Sequence, residues 1–440
     1  MSSATKPGTQ GVSVWTAASL VVGGMVGTGI FTSLGFQVEG IPSPFAILLL
    51  WVLGGIFALA GALCYSELAA AIPRSGGEYH FLSRIYHPAV GFVAGWVSLT
   101  VAFAGPVAVG SLAFAQYFSK VVPGGDPRLV ATALIVAVTL FHLWSLGMAS
   151  AFQNLFTVLK LGVLGLLVAA GFLASQWQPI TFAPRAGDVG VVLGGPFILS
   201  LYWVMYAYNG WNSPTYMMNE VRDPARNVPL AMLFGTLLVG ALYLGVNAVF
   251  LLSAPMAEMA GRPEVAFVAA EWIFGPAGGR LMAAIIAVGL VSLVSTNVWI
   301  GPRVAQTMGQ DLRALRWLSR CNAAGIPQSA MLLQSGLALT FLWARFDSVV
   351  QYIQFTLQLC GMLTVVGVIV LRWREPDLPR PYRVWLYPWP PLIFFAASVL
   401  MTVYAVALRP VESLAAFATM LLGLLVYALS PRDAAARAPA

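Results

Sequence analysis

Long runs of apolar residues, separated by short polar connections, make up most of this 440-residue chain. A run of about 20 apolar residues is long enough to cross a bilayer as an α-helix. Twelve runs approach this length, and in chain order they span residues 12–36, 43–71, 88–118, 129–146, 152–174, 193–218, 228–253, 277–299, 328–343, 349–371, 387–408 and 411–429. The pattern predicts an all-α polytopic membrane protein with twelve transmembrane helices and no inserted soluble domain.

The first apolar run contains an interruption. Its segment VVGGMVGTGIF carries Gly23, Gly24, Gly27 and Gly29. A glycine inside a helix costs roughly 1 kcal/mol relative to alanine, and unwound backbone at membrane depth is tolerated where it faces protein or a wet cavity. We therefore expect helix 1 to unwind here and to form part of a binding site. The alternative is that these glycines mark a close contact between helices.

The sixth run contains a second interruption, because Asn209 and Gly210 lie in its middle and Pro214 follows soon after. Breaks in helices 1 and 6, five helices apart, are typical of transporters built from two inverted repeats around a central site. The expected organisation is a cytoplasmic segment at 1–11, a first repeat at 12–175, a second repeat at 193–371, two further helices at 386–430 and a disordered tail at 431–440.

Composition supports the membrane assignment and narrows the function. The chain is 59% hydrophobic and 9% charged, whereas a soluble domain carries about 25% charged residues. The net charge of +7 comes from Lys and Arg scattered through short loops, so a nucleic-acid partner is not expected. Fifteen of these residues fall on one predicted side and seven on the other, which predicts that both termini are cytoplasmic.

No residue pattern predicts a cofactor, a metal site or an enzyme. Cys64, Cys321 and Cys360 lie in or beside apolar runs without metal-ligand spacing, so neither a disulfide framework nor a zinc site is indicated. The chain contains no HExxH pair, no GxSxG turn and no GxxxxGK[ST] loop. We therefore expect a protein that moves a molecule without transforming it.

Lys160 is the charged residue that lies well inside a predicted span. It is eight residues from the start of that span, or about 12 Å at 1.5 Å per residue. An uncompensated lysine at the bilayer centre costs at least ~2.5 kcal/mol, so we interpret Lys160 as functional. The competing interpretation is that its long side chain reaches the membrane interface.

Three glutamines, Gln351, Gln354 and Gln358, recur at helical spacing and form one polar stripe on the tenth span. The stripe either lines a cavity or bonds neighbouring helices, and the sequence leaves both readings open. His142, in the fourth span, is interpreted as a hydrogen-bonded packing residue because no second ligand lies near it in the sequence.

The two breaks have complementary polarity. The half-helix that begins after Gly27 directs N–H groups and a positive dipole end into the membrane, which suits a carboxylate. The half-helix that ends near Tyr206 exposes carbonyl groups and a negative dipole end, which suits an ammonium group. Together they predict a site for the zwitterion of an α-amino acid. Neither break contains an acidic side chain, so a neutral substrate is expected.

A series of ordered motifs gives the chain a family resemblance. They are GTGIF at 27–31, PRSGGEYHFL at 73–82, FTVLK at 156–160, YAYNGWN at 206–212, NEVRDPARNVPLA at 219–231 and LRWREPDLPRPYRV at 371–384. With them the chain resembles the amino acid, polyamine and organocation superfamily of transporters, and within it the L-type amino acid transporter branch. The resemblance implies a LeuT-type fold, with two inverted five-helix repeats and two additional C-terminal helices, that works by alternating access.

The resemblance also implies a set of substrate-binding residues: Met25, Thr28, Gly29, Tyr206, Ala207 and Asn209. Thr28 and Gly29 would hold the substrate carboxylate, and backbone carbonyls of Met25, Tyr206 and Asn209 would hold its ammonium group. Tyr206 would also be the aromatic gate. Many relatives have a small residue where this chain has Asn209, so its amide is expected to narrow or polarise the site.

Lys160 matches a lysine that occupies the sodium position of sodium-coupled relatives. By this resemblance it would bridge Gly23 on helix 1 to Ser295 on helix 8. A fixed ammonium group can replace a cation that links helix 1 to its surroundings. The expected function is therefore sodium-independent transport of neutral L-amino acids, with exchange as the transport mode.

The resemblance also bears on whether the protein has a partner subunit. Eukaryotic L-type members carry a cysteine between helices 3 and 4 that links a heavy chain, and residues 120–128 contain none. We therefore expect a stand-alone, monomeric carrier of bacterial inner-membrane type, without a disulfide-linked heavy chain.

Three other functions remain open. The first is a proton-coupled amino acid symporter in which Lys160 releases a proton during the cycle. The second is a carrier of cationic amino acids or polyamines, which the lack of an acidic residue in the breaks disfavours. The third is an amino acid sensor that binds without transporting.

Overall fold

The structure is a computed structural model that describes residues 13–144, 149–173, 177–322 and 325–430. Within these ranges the chain is helical, without β-strands. The α-helices are α1 (Val14–Met25), α2 (Thr28–Gln37), α3 (Pro44–Ala71), α4 (Gly77–Ile85), α5 (Pro88–Val97), α6 (Ala104–Ser119), α7 (Pro127–Trp144), α8 (Ala149–Leu173), α9 (Asp188–Val192), α10 (Gly195–Tyr208), α11 (Pro224–Ser253), α12 (Met256–Met259), α13 (Val265–Asp311), α14 (Gln328–Phe341), α15 (Phe346–Arg374), α16 (Trp389–Leu408) and α17 (Pro410–Leu429). A π-helix lies at Ser98–Ala102, and 3₁₀-helices lie at Ser213–Glu220 and Arg313–Ser319.

Among the described residues, eight helical passages are long and apolar enough to cross a membrane, when α1 is joined to α2 and α5 to α6. They are Val14–Gln37, Pro44–Ala71, Pro88–Ser119, Pro224–Ser253, Val265–Asp311, Phe346–Arg374, Trp389–Leu408 and Pro410–Leu429. The chain is therefore an integral, multi-pass membrane protein. The count of twelve spans and the division into two inverted repeats stay predictions. The predicted segments 1–11 and 431–440 lie outside the described residues, as do the ends of the fourth and fifth predicted spans.

The interruption predicted in the first span lies at Val26 and Gly27, between α1 and α2. Gly27 has φ −132° and ψ −148°, far from helical values. Gly29, in the first turn of α2, lies so close to α10 that a Cβ atom on it would be 2.3 Å from the Cα atom of Ala207. Glycine is therefore required at this position because the two half-helices touch through their backbones.

The second interruption follows the end of α10 at Tyr208. Gly210 has a φ of +110°, a conformation that favours glycine. A Cβ atom on Gly210 would lie 2.5 Å from the carbonyl carbon of Gly24, so the two breaks are in direct contact. The chain continues as the 3₁₀-helix Ser213–Glu220 rather than as an α-helix.

Two elements differ from the predicted spans. The third span is not a single helix, because the π-helix Ser98–Ala102 separates α5 from α6. Pro106 has no N–H group to donate to the carbonyl of Ala102, which disturbs the regular ladder at this point. The eighth predicted span is part of the longer α13, which bends at Gly275 (φ +75°) and continues through Pro302 to Asp311.

Candidate functional site

A cavity of about 150 Å³ lies where the two breaks meet. Backbone of both interruptions lines it, together with side chains from α3, α4, α13 and α15 and residues around the π-helix. Of the residues predicted to bind substrate, those on the wall are Met25, Thr28, Gly29, Tyr206 and Asn209. Ala207 lies next to them, in backbone contact with Gly29. Residues that are 178 apart in the chain thus meet at one cavity.

The start of α2 presents unpaired backbone donors to this cavity. The first N–H groups of any helix have no partner within the helix, and Gly27 supplies no side-chain cap. Gly27, Thr28 and Gly29 all lie on the cavity wall. The positive end of the helix dipole is also located here, so this wall is suited to a carboxylate.

Tyr206 lies across the start of α2. Its hydroxyl oxygen is 2.9 Å from Oγ1 of Thr28, and both side chains are buried. Tyr206, the predicted gate, and Thr28, a residue predicted to bind the substrate carboxylate, are therefore hydrogen-bonded to each other in this structure. A carboxylate that reached Thr28 would compete with the Tyr206 hydroxyl for the same group.

Tyr243, on α11, joins the two breaks and is not among the residues that line the cavity. Its hydroxyl donates to the carbonyl of Met25 at 2.6 Å and lies 3.0 Å from the carbonyl of Ala207. The side chain is fully buried. Sequence reasoning missed this residue because it stands in an ordinary apolar run. The signal was present, since a tyrosine hydroxyl inside a membrane needs an acceptor and the two breaks supply unpaired carbonyls.

Asn209 is the C-cap of α10, directly after Tyr208, and its side chain reaches α15. Its Nδ2 donates to Oε1 of Gln354 at 2.8 Å, and its backbone N–H bonds to the carbonyl of Tyr206 at 3.2 Å. Gln354 and Gln358 line the cavity and also bond neighbouring side chains, so both readings of the glutamine stripe hold for them. Gln351 is buried but does not line the cavity.

Lys160 is buried on α8 beside Gly289 of α13, where a Cβ atom would lie 3.6 Å from the lysine Cγ. Among the described residues, its Nζ atom has no hydrogen-bond partner. Ser295, its predicted partner, is instead 2.7 Å from Nε2 of His142. The predicted bridge from Gly23 through Lys160 to Ser295 is therefore not formed in this structure, because His142 reaches the serine hydroxyl from α7. The functional role of Lys160 stays a prediction.

One end of the cavity contains a buried carboxylate that the sequence analysis did not single out. Glu78, on α4, accepts hydrogen bonds from the Tyr65 hydroxyl at 3.0 Å and from Nδ2 of Asn212 at 2.6 Å. The hydroxyl of Tyr216 donates to its other oxygen. Glu78 lies outside both breaks, and three neutral donors already occupy it. It links α3, α4 and the segment after the second break.

Three stacked aromatic rings lie beside the site, about one turn of α10 before Tyr206. Phe36 of α2 stacks on Trp203 of α10 with ring centroids 4.4 Å apart, and Phe346 of α15 lies 5.8 Å from Phe36 and 6.3 Å from Trp203. This aromatic seal, Phe36 with Trp203 and Phe346, joins both broken helices to α15. Within the described ranges, no three His, Cys, Asp or Glu side chains form a group that could bind a metal.

Comparisons with known proteins indicate the family to which the chain belongs. A model of the amino acid permease family matches residues 12–429. The chain is similar to the human b(0,+)-type amino acid transporter 1, with 28% identity over 421 residues that cover 93% of this chain and 86% of the relative. It is also similar to the large neutral amino acids transporter small subunit 2 of Mus musculus, with 28% identity over 434 residues that cover 94% of this chain and 80% of the relative.

The name of the mouse relative corrects one expectation. A small subunit is one chain of an assembly, so the expectation of a stand-alone monomer without a heavy-chain partner is wrong on this comparison. The expectation was wrong because the lack of a cysteine in 120–128 excludes only a disulfide at that loop and not a partner subunit. Subunits can associate through surfaces that contain no disulfide.

The comparisons confirm the family resemblance of the sequence motifs. Because the family match extends over nearly the whole chain, the chain belongs to the amino acid permease family, in the L-type branch of the amino acid, polyamine and organocation superfamily, and is a membrane transporter rather than an enzyme.

Proposed function

We propose that the protein carries neutral L-amino acids across the membrane by sodium-independent exchange. The observation that carries this proposal is the meeting of two helix breaks of opposite polarity at one cavity. In this proposal the N–H groups around Thr28 and Gly29 bind the substrate carboxylate. The carbonyls of Met25, Tyr206 and Asn209 bind its ammonium group.

The bonds already made at these carbonyls limit what they can accept. The Met25 carbonyl receives the Tyr243 hydroxyl, and the Tyr206 carbonyl receives the Asn209 N–H. A carbonyl oxygen has two lone pairs, so each can still accept one bond from an ammonium group. An ammonium group has three N–H donors, so it can bond these carbonyls through their remaining lone pairs.

Two groups, the Tyr243 hydroxyl and the Lys160 ammonium, support sodium independence. The Tyr243 hydroxyl bonds carbonyls at both breaks, which are the kind of ligand a hard cation would use. The Lys160 side chain is buried between α8 and α13 and carries a positive charge when protonated. The Tyr243 hydroxyl thus joins the broken segments to α11 without an ion, and Lys160 supplies a buried cationic group beside α13.

The fold proposed for this function has twelve transmembrane helices, with two inverted five-helix repeats and two peripheral helices. Both termini would be cytoplasmic, and the protein would reside in a bacterial inner membrane. Movement of the broken helices relative to the rest would alternate access, with Tyr206 closing over the substrate.

The test is uptake of a panel of labelled amino acids into liposomes that contain the purified protein. We expect uptake of neutral amino acids that is strongly stimulated by amino acid inside the liposomes and unchanged when sodium is replaced by choline. A requirement for a sodium gradient would contradict sodium independence, and equal uptake into empty liposomes would contradict exchange. Competition by arginine or putrescine would favour a cationic substrate, and binding without uptake would favour a sensor.

Proton symport is the second candidate, because among the described residues Lys160 Nζ has no hydrogen-bond partner and could exchange a proton. An inward pH gradient would then drive uptake into liposomes without internal amino acid. The Lys160→Ala variant distinguishes a functional from a structural lysine. We expect it to abolish or strongly slow transport of either kind, and near-parental flux would contradict a functional role.

A further inference from the structure

Four side chains form a continuous hydrogen-bonded chain from the cavity to a peripheral helix. Asn209 donates to Gln354, whose Nε2 donates to Oε1 of Gln358 at 3.2 Å. Gln358 donates in turn to the hydroxyl of Ser398 on α16. The glutamines and Ser398 are buried, and Asn209 lies on the cavity wall. We refer to Gln354, Gln358 and Ser398 as the amide relay.

The direction of the amide relay is set by the backbone of α16. The Ser398 hydroxyl donates its single hydrogen to the carbonyl of Phe394 at 2.7 Å. Towards Gln358 it can therefore act only as an acceptor, and Gln358 must present its NH₂ group. The Gln358 oxygen then faces Gln354, and the Gln354 oxygen faces Asn209. The network thus determines which way each amide is turned.

Asn209 is the first amide of this series, and it lies on the cavity wall, as Gln354 and Gln358 also do. Its NH₂ group is engaged by Gln354. Among the described residues, no side chain or backbone group is hydrogen-bonded to the Oδ1 atom of Asn209. A substrate side chain that contacts this oxygen therefore meets an acceptor without a protein partner. If Asn209 could turn freely, it would offer an acceptor or a donor with similar ease.

We infer that the amide relay positions Asn209 as a hydrogen-bond acceptor, so that the site prefers neutral amino acids whose side chain donates a hydrogen bond over aliphatic ones of the same shape. Side chains with a hydroxyl or carboxamide satisfy this acceptor, whereas an aliphatic side chain would bury it unpaired. The inference rests on the proposed transport of neutral amino acids and names the substrate class within it. The relay residues that lie beyond Asn209 are positioning residues.

The test compares threonine with valine, which have nearly the same shape and differ by a hydroxyl group. The measured quantity is the ratio of their Vmax/KM values for uptake into liposomes that contain the full-length protein. This ratio does not depend on how much folded protein is present. For the parent protein we expect threonine to be preferred by about tenfold, the value of one net hydrogen bond.

Two variants each remove one hydrogen-bonding side chain of the amide relay, at different distances from Asn209. Gln354→Met removes the partner of Asn209, and we expect the threonine-to-valine ratio to fall to within about twofold of one. Ser398→Ala removes the anchor on α16, two side chains further away, and should lower the ratio in the same direction by a smaller factor. Gln351→Met is the matched control, since Gln351 lies on the same helix and is buried to a similar degree but belongs to neither the relay nor the cavity wall.

The outcomes separate the inference from the proposed function. A parental ratio near one, or a ratio that Gln354→Met and Ser398→Ala leave unchanged, overturns the inference while uptake itself still supports the proposed function. A parallel fall in the Gln351→Met control also overturns it, because the effect would then be a general one of helix packing. No uptake of either amino acid by the parent protein overturns the proposed function and the inference with it.

Discussion

At the scale of single residues, the Tyr243 hydroxyl is in an unusual position, because it contacts backbone carbonyls in the last turns of both α1 and α10. Neither α1 nor α10 can bond these carbonyls within its own helix. One hydroxyl group from α11 therefore stabilises two unwound segments that are far apart in the sequence.

Replacing Tyr243 by phenylalanine removes this donor and leaves the shape almost unchanged. Two buried carbonyls then lose a partner, at a cost of about 1–3 kcal/mol for an unsatisfied group. We expect KM for the transported amino acid to rise by roughly tenfold, with normal insertion into the membrane. Tyr208→Phe is the control, because among the described residues the one hydrogen bond of that buried hydroxyl is long, at 3.4 Å to the carbonyl of Trp51. Equal effects of the two variants would mean that Tyr243 contributes only to packing.

Gly29 is a second residue on which the contact between the two breaks depends, because it lets α2 approach the backbone of α10. Any Cβ atom would lie within 2.6 Å of both Cα and Cβ of Ala207, a distance that forces α2 away from α10. We expect Gly29→Ala to abolish measurable transport and binding while the protein still reaches the membrane. Gly336→Ala, on α14, is the control, since a Cβ atom there would have no neighbour within 4 Å. Retained affinity in Gly29→Ala would show that α2 can move without loss of the site.

At the scale of elements, a buried charge cluster connects α3 to the end of α15. Glu67 accepts two hydrogen bonds from Arg372, at 2.8 and 2.6 Å, and one from the backbone N–H of Val384. The Arg380 side chain lies beside the same carboxylate and caps carbonyls at the end of α15, including that of Leu371. One carboxylate thus organises the chain that leaves α15.

Removing this carboxylate should destabilise the protein strongly. Glu67→Ala leaves buried arginine charge without its partner, so we expect the free energy of unfolding to fall by about 3–5 kcal/mol. Thermal unfolding of the detergent-purified protein measures the change. Arg345→Ala is the matched control, because the Arg345 side chain that pairs with Asp347 is largely exposed and a pair in contact with solvent contributes about 0–1 kcal/mol. Similar melting temperatures for both variants would contradict a structural role for Glu67.

Local sequence chemistry was sufficient to predict some of these elements. Glycine and proline have strong backbone preferences of their own, so the breaks near Gly27 and Gly210 were found where they lie. The Tyr243 contacts and the pairing of His142 with Ser295 could not be predicted, since each joins groups more than 30 residues apart in the chain. Hydropathy also misjudged α13, because its last turns are polar yet remain helical.

At the scale of the whole molecule, the two ends of the cavity differ. Towards the aromatic seal, Thr28 and Tyr206 are buried. Towards Glu78, residues such as Ala102 and Asn297 keep partial exposure. The structure therefore corresponds to a state that is closed at the seal. By the distribution of Lys and Arg, the end at Glu78 is the one expected to face the cytoplasm.

Cysteine labelling from each side of the membrane tests this assignment. The starting variant replaces Cys321 and Cys360 by serine, since Cys321 is exposed and Cys360 lines the cavity. In this background we expect Ala102→Cys to react with a membrane-impermeant maleimide in inside-out vesicles, and saturating substrate to slow the reaction. Ser33→Cys should stay unreactive from both sides, because Ser33 is fully buried against the Trp203 backbone behind the seal.

The seal itself is tested by adding Trp203→Ala to the Ser33→Cys variant. Loss of the indole removes the ring that stacks on both Phe36 and Phe346, so the state open at that end should become more populated. We expect Ser33→Cys to become reactive in right-side-out vesicles while Ala102→Cys in the same Trp203→Ala background becomes slower to react. This opposite change distinguishes alternating access from simple loosening, because a loosened protein would react faster at both positions. Faster labelling at both would therefore contradict a two-state movement governed by the aromatic seal.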